Sequence, residues 1–438
     1  MNETPVALVP VTKVPVPAPP VDAPAAVAAP TYSGEDFEKV IKRFAESIDS
    51  LLLSLPNIMS FMEVMAATRQ AEFLSFLKAS GAEQVVEGTK IHFTVSGSGA
   101  TKALRMERRL KTDQTAYRLI HRSFLISLIS QYDAYLGRLL RLAYLIRPEK
   151  LNASEKQFTF KELLQFSSLE EARERLIERE VDSVVRRSHE DQIAWLKENL
   201  SLNVAAFIPE LPEFIEVAQR RHLFVHCDGV VSATYIKNCQ SAGAKLDPSI
   251  ALGQQLEVSK SYLETAFELV YAVGAKVGFA LWLSLLKTDV NAAAACVNVL
   301  AFDLISNGRH SLAINLLEYA LSGKQKPSNE QTTRFMILNL AQAYRWSGKI
   351  DRCAKLLADY DWSASSTLIE LGVATLRDQY DEAFRLIRKL GHDDGFKKEC
   401  YRDWPIFREL RKQPGFLTCY KEVYGENFEV TTVVSTTP

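Results

Sequence analysis

Apolar side chains recur every three or four residues along most of this chain, and that period is typical of helices that bury one face. The longest stripe predicts one long amphipathic helix. Its members are Phe124, Leu125, Leu128, Ile129, Tyr132, Tyr135, Leu136, Leu139, Leu140 and Ala143. The fold class predicted from this pattern is all-α.

The segment from residue 34 to residue 85 repeats the pattern and predicts two further helices. Ser33 is the expected N-cap of the first helix, with Asp36 in its first turn. The second helix is expected from Ile58 to Leu77. The apolar positions of the first helix are Phe37, Val40, Ile41, Phe44 and Ile48.

One short segment departs from the helical period. Polar and apolar residues alternate from Thr89 to Val95, which indicates a β-strand. The small residues Ser96 to Gly99 then break it. We therefore expect a short β-hairpin near residues 89 to 99 as the one exception to an all-α fold.

The most apolar run, Val270 to Leu286, could be read as a membrane span or as a core helix. Lys276 lies in its middle, and the run is short for a bilayer, which needs about 20 residues. A buried helix of a helical bundle is the favoured interpretation, so we expect no membrane contact.

The C-terminal third contains an internal repeat with a period of forty residues. Leu300, Ala301, Leu304, Gly308, Ala313, Leu317 and Ala320 match Leu340, Ala341, Tyr344, Gly348, Cys353, Leu357 and Tyr360. A looser third unit contains Leu371, Gly372, Thr375 and Tyr380 to Ala383, with one residue fewer in its turn. The segment from Trp404 to Phe416 follows as a closing element.

This pattern resembles tetratricopeptide repeats, in which small residues let two helices pack closely and a glycine makes the turn between them. The usual period is about 34 residues, so Gly323 to Gln331 would be an inserted loop. The resemblance implies an α-solenoid that binds a protein or peptide partner on its concave face.

At 438 residues the chain is too long for one ordinary core, so several domains are expected. Residues 1–33 hold eight of the 17 prolines and predict a disordered Pro/Ala-rich tail. A helical region at 34–100, a helical bundle at 101–287 and the repeats at 288–438 would follow.

The charge balance excludes a nucleic-acid binder that works by bulk positive charge, because the net charge is −1 and the pI is about 6.7. A small local patch stays open, and Arg186, Arg187, Arg220, Arg221 and Lys237 are its candidates. For Arg186 and Arg187 a solvated helix face is the favoured interpretation. The six scattered cysteines favour a reducing, cytoplasmic location.

The segment Arg221-His222-Leu223-Phe224-Val225-His226 combines the side chains that phosphodiester cleavage needs. Arginine carries a permanent charge in a planar fork that fits a phosphate. Histidine exchanges protons near neutral pH. The segment continues an amphipathic helix that begins before Phe214, and Gly229 is the expected helix stop. Since Arg221 and His226 point roughly 140° apart on an ideal helix, they converge only if the helix loosens or if two copies face each other.

Two simpler interpretations remain open for this segment. Arg221 could pair with a carboxylate while His226 interacts with the helix dipole at an ordinary helix end. His222 and His226 are also spaced as zinc ligands can be, but no third ligand is evident, so no metal and no cofactor are expected.

The segment resembles the ribonuclease motif of the HEPN superfamily, in which arginine, a polar residue and then histidine follow one another. Arg221 and His226 have four residues between them, and His222 fills the polar position. The flank from Val225 to Val231 and the upstream stretch Ser130 to Leu136 are also similar to HEPN domains. The resemblance covers roughly residues 101 to 287, with residues 151–201 as an elaboration.

The resemblance implies a helical bundle whose two copies form a homodimer with both motifs in one cleft. It further implies metal-independent RNA cleavage, in which a ribose 2′-hydroxyl attacks the adjacent phosphate. His226 would be the general acid or base, Arg221 would bind the phosphate, and His222 would assist. Asp133 falls where some members carry an acidic residue.

Two functions follow as hypotheses. One is a cytoplasmic endoribonuclease, with Arg220 and Lys237 as further RNA-binding candidates, controlled through the repeats. A role as a toxin or phage-defence effector would follow from the resemblance alone. The other is a non-catalytic helical adaptor, in which the bundle serves dimerisation and the repeats bind a protein.

Overall fold

The computed structural model describes residues 32–87, 90–97, 99–153, 157–323, 327–392 and 396–429. Within these ranges the chain is predominantly helical, as the apolar period predicts. The expected disordered tail lies outside the described residues except for Tyr32 and Ser33. The elements are, in order, α1 Gly34–Ala79, β1 Glu83–Glu87, β2 Lys90–Thr94, α2 Gly99–Ile146, α3 Phe160–Leu163, α4 Leu169–Val185, α5 His189–Leu200, α6 Leu211–His226, α7 Ala233–Ala242, α8 Lys260–Leu285, α9 Val290–Ser306, α10 His310–Ser322, α11 Glu330–Trp346, α12 Ile350–Ala358, α13 Thr367–Leu376, α14 Tyr380–Leu390, α15 Cys400–Asp403 and α16 Pro414–Tyr424.

The core of the bundle forms where the first half of α1 and the second half of α2 pack against α8. The predicted apolar stripe of α2 is buried along its length, from Leu125 to Ala143, with only Phe124 half-buried. The ring of Phe44 on α1 stacks on Tyr135 of α2 at 4.1 Å between centroids. α1 therefore shares one core with α2 and α8.

Two glycines on α8 allow this close approach. A Cβ atom at Gly278 would lie 2.0 Å from the Tyr135 hydroxyl and 3.0 Å from Ile41. At Gly274 it would lie 2.4 Å from the ring of Phe44. Glycine, which carries only a hydrogen in place of a side chain, is thus required at both positions for α1 and α2 to reach the α8 backbone.

The expected break between two N-terminal helices is wrong, because α1 runs unbroken through Pro56. Proline removes one backbone donor and usually kinks or ends a helix. Here Pro56 is exposed, while Leu55 and Met59 on either side of it are buried. Burial of these neighbours offsets the local penalty, and Ser33 with Asp36 forms the predicted capping box at the start of α1.

The β-hairpin exists, but it lies earlier than expected. β1 at 83–87 pairs antiparallel with β2 at 90–94, from Glu83 opposite Thr94 to Glu87 opposite Lys90. Thr89 and Ser98, which the prediction included, lie outside the described residues. The hairpin connects the C-terminal end of α1 to the N-terminal end of α2.

The C-terminal third forms three helical hairpins among the described residues, α9–α10, α11–α12 and α13–α14. The first two turn at Gly308 and Gly348, whose φ angles are +75° and +78°. In the third, Asp378 adopts the same left-handed conformation with φ +57° and is held by Arg345. The expected turn with one residue fewer is wrong: Ala374, Asp378 and Ala383 keep the spacing of Leu304, Gly308 and Ala313.

A polar cluster around Glu210 joins the first of these hairpins to the bundle. Lys276 of α8 is 3% exposed, and its ammonium lies 2.8 and 3.0 Å from the carboxylate oxygens of Glu210. Asn315 of α10 also donates to Glu210. Because Glu210 is the N-cap of α6, the first repeat hairpin contacts the beginning of that helix.

By length and composition alone, α1 and α8 are the two described helices that are long and apolar enough to cross a membrane. The most apolar 18-residue window of α8 is 78% buried, which confirms the prediction of a buried bundle helix around Val270. In α1 the corresponding window is only 11% buried.

Replacing Gly278 by alanine should destabilise the bundle, although alanine favours helices by about 1 kcal/mol over glycine. The added methyl would meet Tyr135 and Ile41, and overpacking costs about 1–3 kcal/mol. The free energy of unfolding, measured by urea denaturation, should therefore fall. Tyr135→Phe should restore part of the loss in the double variant, and a stabilised Gly278→Ala protein would contradict this packing.

Candidate functional site

α6 carries the Arg221–His226 segment, as the pattern predicts. Pro212 lies in its first turn, where its missing N–H has no intrahelical acceptor. Phe214, Ile215, Val217 and Ala218 are all buried against the bundle. The helix stays α-helical through His226, so it does not loosen near that residue.

Gly229 ends this helix, as expected. Its φ of +82° favours glycine, and its N–H donates to the Leu223 carbonyl at 3.0 Å. A Cβ here would lie 2.8 Å from the Phe224 ring and 3.1 Å from the Leu256 carbonyl. The turn that follows α6, in which Asp228 also has a left-handed φ of +49°, therefore requires glycine at position 229.

Arg221 is oriented by Asp133 of α2. The guanidinium Nη2 donates to Asp133 Oδ2 at 2.9 Å, and the two side chains are 23% and 20% exposed. On the other carboxylate oxygen, Oδ1 lies 3.0 Å from Nε2 of His189, a buried residue at the start of α5. Asp133 of α2, the acidic residue named in the prediction, is thus in contact with Arg221.

His222 and His226 form an exposed pair on one side of α6. Their ring centroids are 4.5 Å apart, as their spacing of one helical turn allows. Val225 lies beside them and is 47% exposed. Burial first, and then the nearby His226 and Arg221, lower the pKa of His222 from its ordinary value.

Arg122 of α2 holds the C-terminal end of α6. It donates to the Phe224 carbonyl, one of the last four carbonyls that have no partner within the helix. A second nitrogen lies 2.5 Å from Asp228, and the guanidinium lies 5.1 Å from the centre of the Phe224 ring. The position of the two histidines therefore depends on α2 at a second point.

Arg220 has a different environment from its neighbour Arg221. Its Nε donates to Glu216 at 2.7 Å, and its guanidinium lies 4.0 Å from the centre of the Tyr262 ring. The hydroxyls of Tyr235 and Tyr262 also donate to Glu216, at 2.6 and 2.7 Å. Burial, and then the Glu216 charge, raise the pKa of both phenols, so they remain donors.

The other patch candidates lie apart from this cluster. Lys237 is exposed on α7. Arg186, at the end of α4, is 81% exposed and lies 3.2 Å from Asp182 one turn before it. Arg186 therefore lies on a solvated helix face, the interpretation favoured from the sequence for Arg186 and Arg187.

A cleft of about 620 Å³ opens beside the end of α6. Phe224 and Asp228 form one wall, and α2 contributes the opposite wall. A third wall comes from the segment before α8. The α2 side carries Thr115, Tyr117, Arg118, Leu119, His121 and Arg122. None of these residues was among the predicted site residues, although basic residues recur from Arg105 to Lys111, just before this wall.

The repeat hairpins form a second, apolar cavity of about 300 Å³ on the side lined by their first helices, α9, α11 and α13. Asn339 donates to Asn298 there at 2.9 Å. The closing segment contributes Trp404, Ile406 and Phe407 to the same cavity.

The chain matches no protein-family model, none of the curated proteins and none of the solved structures. In the part of the chain that the structure describes, no three His, Cys, Asp or Glu side chains are grouped as metal ligands would be.

The two adjacent arginines should differ in their contribution to stability. Arg220→Ala leaves the buried Glu216 without its cation, and loss of one partner of a buried pair costs about 3–5 kcal/mol. Arg221→Ala removes a partly exposed pair and should cost about 1 kcal/mol. Urea denaturation measures both losses, and Arg186→Ala serves as an exposed control with a change within about 0.5 kcal/mol. Equal losses for Arg220 and Arg221 would contradict the environments described.

The lowered pKa of His222 has a measurable consequence. Because the unfolded chain binds this proton more readily than the folded chain, protonation of His222 favours unfolding as the pH falls below about 6.5. In an NMR titration the His222 imidazole should have its midpoint below that value. Arg221→Ala should raise the midpoint, since it removes a nearby positive charge, and an unchanged midpoint would refute the interaction.

Proposed function

We propose that this protein is a metal-independent endoribonuclease of HEPN type. The observation that carries the proposal is the arrangement on α6, where two exposed histidines follow an arginine held by Asp133. A phosphate-binding cation and groups that transfer protons are thus presented at one end of one helix. These are the requirements of phosphodiester cleavage without a metal.

In the proposed reaction the ribose 2′-oxygen attacks the adjacent phosphorus and loses its proton to a base. The bond from phosphorus to the 5′-oxygen breaks, and that oxygen takes up a proton. The products are a 2′,3′-cyclic phosphate and a 5′-hydroxyl. His226 acts as general acid or base, His222 assists it, and Arg221 stabilises the charge that grows on the phosphate.

Arg221 has donors left for a phosphate. Its Nη2 donates to Asp133, its Nε is buried without a hydrogen-bond partner among the described residues, and the side chain as a whole is 23% exposed. A guanidinium offers five N–H donors in a planar fork. Asp133 therefore fixes the orientation of Arg221, and the exposed part of the guanidinium is the part that a phosphate would contact.

The proposed enzyme acts as a homodimer. α6 is regular up to His226, so residues 221 and 226 diverge by roughly 140° within one chain. They could converge if the helix loosened or if two copies faced each other. Because α6 is regular, we propose the second arrangement. The exposed face with His222, Val225 and His226 is the surface that we propose to meet its counterpart.

The repeat hairpins are proposed to resemble tetratricopeptide units and to bind a peptide or protein partner that controls the enzyme. The apolar cavity lined by α9, α11 and α13, with Asn298 and Asn339 at its side, supports this part of the proposal. An apolar cavity with a few polar groups is typical of sites that bind a small side chain or ligand.

The test is cleavage of total RNA by the purified protein in excess chelator. The parent protein should cut RNA, and His226→Ala should cut it at least about 100-fold more slowly, since general acid–base catalysis contributes about 10²–10⁴-fold. The 3′ ends should carry a 2′,3′-cyclic phosphate. Arg221→Ala should also lose activity.

The matched control is His392→Ala, which removes an exposed histidine beyond the repeats. It should cut RNA at the parental rate. Cleavage that disappears with chelator, or that survives in His226→Ala, would refute the proposal. Intact RNA after incubation with a well-folded dimer would favour the non-catalytic adaptor.

A further inference from the structure

The C-terminal half of α1 and the N-terminal half of α2 form a two-helix projection from the bundle. Residues 99–120 of α2 contain no buried side chain, and Leu77 is the one buried residue between 60 and 79 of α1. An ion pair between Arg69 and Asp113 and a hydrogen bond from Tyr117 to Glu63 link the two helices. We call residues 99–122 the α2 arm.

The α2 arm is strongly basic in an otherwise balanced chain. It holds seven lysines and arginines against two acidic residues, whereas the whole chain has a net charge of −1. Arg105, Arg108 and Arg109 are exposed and form no ion pair with any residue that the structure describes. Arg118 is 65% exposed, and its contact with Glu257 is long, at 3.8 Å.

The cations follow one side of the helix. Arg108, Lys111, Thr115, Arg118 and Arg122 are spaced by three, four, three and four residues, which places them on a single stripe. A shallow groove of about 320 Å³ runs along Arg108, Lys111, Thr115 and Leu119. The cleft beside α6 shares Thr115 and Leu119 with it, so groove and cleft are continuous.

This continuous surface reaches Phe224 and Asp228 at the C-terminal end of α6, while His222 and His226 do not line it. Arg122 contacts Phe224 and Asp228, the residues two positions before and after His226. From Arg108 to Arg122 the helix rises by about 21 Å, at about 1.5 Å per residue. That length spans roughly six stacked nucleotides at about 3.4 Å each.

We infer that the α2 arm binds the phosphate backbone of single-stranded RNA and leads it to the end of α6. This inference rests on the proposed function, since it assigns the path of its substrate. Exposed arginines supply the backbone contacts, and the ring of Tyr117, which is 37% exposed, offers a surface in the cleft on which a base can stack. Cations arranged along a groove that reaches the C-terminal end of α6 favour RNA over a flat anionic surface.

The decisive test measures binding in the His226→Ala background, where the proposed cleavage is removed. The probe is a labelled single-stranded oligoribonucleotide of about 20 nucleotides without self-pairing, and fluorescence anisotropy gives its affinity at several salt concentrations. Substituting Arg105→Glu, Arg108→Glu and Arg109→Glu together should weaken binding at least tenfold. The slope of log affinity against log salt should become shallower by about 2, since each lost contact removes about 0.7.

The matched control is the triple change Lys349→Glu, Lys355→Glu and Lys421→Glu. It alters the net charge equally at exposed lysines of the C-terminal third and should leave RNA affinity unchanged. Equal weakening by both triple variants, or no weakening by the arm variant, would overturn the inference. So would loss of binding to anionic phosphatidylserine vesicles with RNA affinity intact, since the arm would then be a membrane surface.

Cleavage separates this inference from the proposed function. In the otherwise parental chain, the arm variant should raise the KM for long RNA at an unchanged kcat. If the parent binds RNA through the arm but cuts nothing, the proposed function fails and the arm assignment stands. If the parent cuts RNA and the arm variant has parental KM and affinity, the arm assignment fails alone.

Discussion

The ion pair between Asp133 and Arg221 joins the longest helix of the bundle to the helix that carries the histidines. α2 supplies the carboxylate from its buried half, where Tyr132 and Tyr135 pack into the core. Earlier on the same helix, Arg122 donates to the Phe224 carbonyl near the C-terminal end of the motif. The candidate site is therefore built on two packed helices, and a shift of α2 would displace Arg221 and both histidines together.

Buried polar groups along α6 explain why neighbouring residues of the same type have different roles. Glu210, Glu216 and Arg221 each meet a partner from another helix, because an unpaired charge at such depth is costly. Arg220 turns inward to Glu216 with Tyr235 and Tyr262, whereas Arg221 turns to Asp133 and stays 23% exposed. Nothing in the local sequence distinguishes the two arginines, since their partners come from helices distant in the chain.

The sequence predicted those features that depend on local periodicity: the all-α class, the α2 stripe, the buried α8 and the helix stop at Gly229. It failed where tertiary contacts override a local signal. Pro56 continues a helix because its neighbours are buried. Asp378, held by Arg345, takes the left-handed turn conformation that glycine takes in the first two hairpins. The basic arm was missed because the net charge of the whole chain hides a local excess.

The proposed chemistry requires Arg221 and His226 to act as one unit, and residues that act as a unit lose their effects non-additively. The most direct measurement is the single-turnover rate of RNA cleavage in chelator for Arg221→Ala, His226→Ala and the double variant. The double variant should be about as slow as the slower single variant. Losses that multiply, or a His226→Ala protein as fast as the parent, would contradict a shared catalytic site.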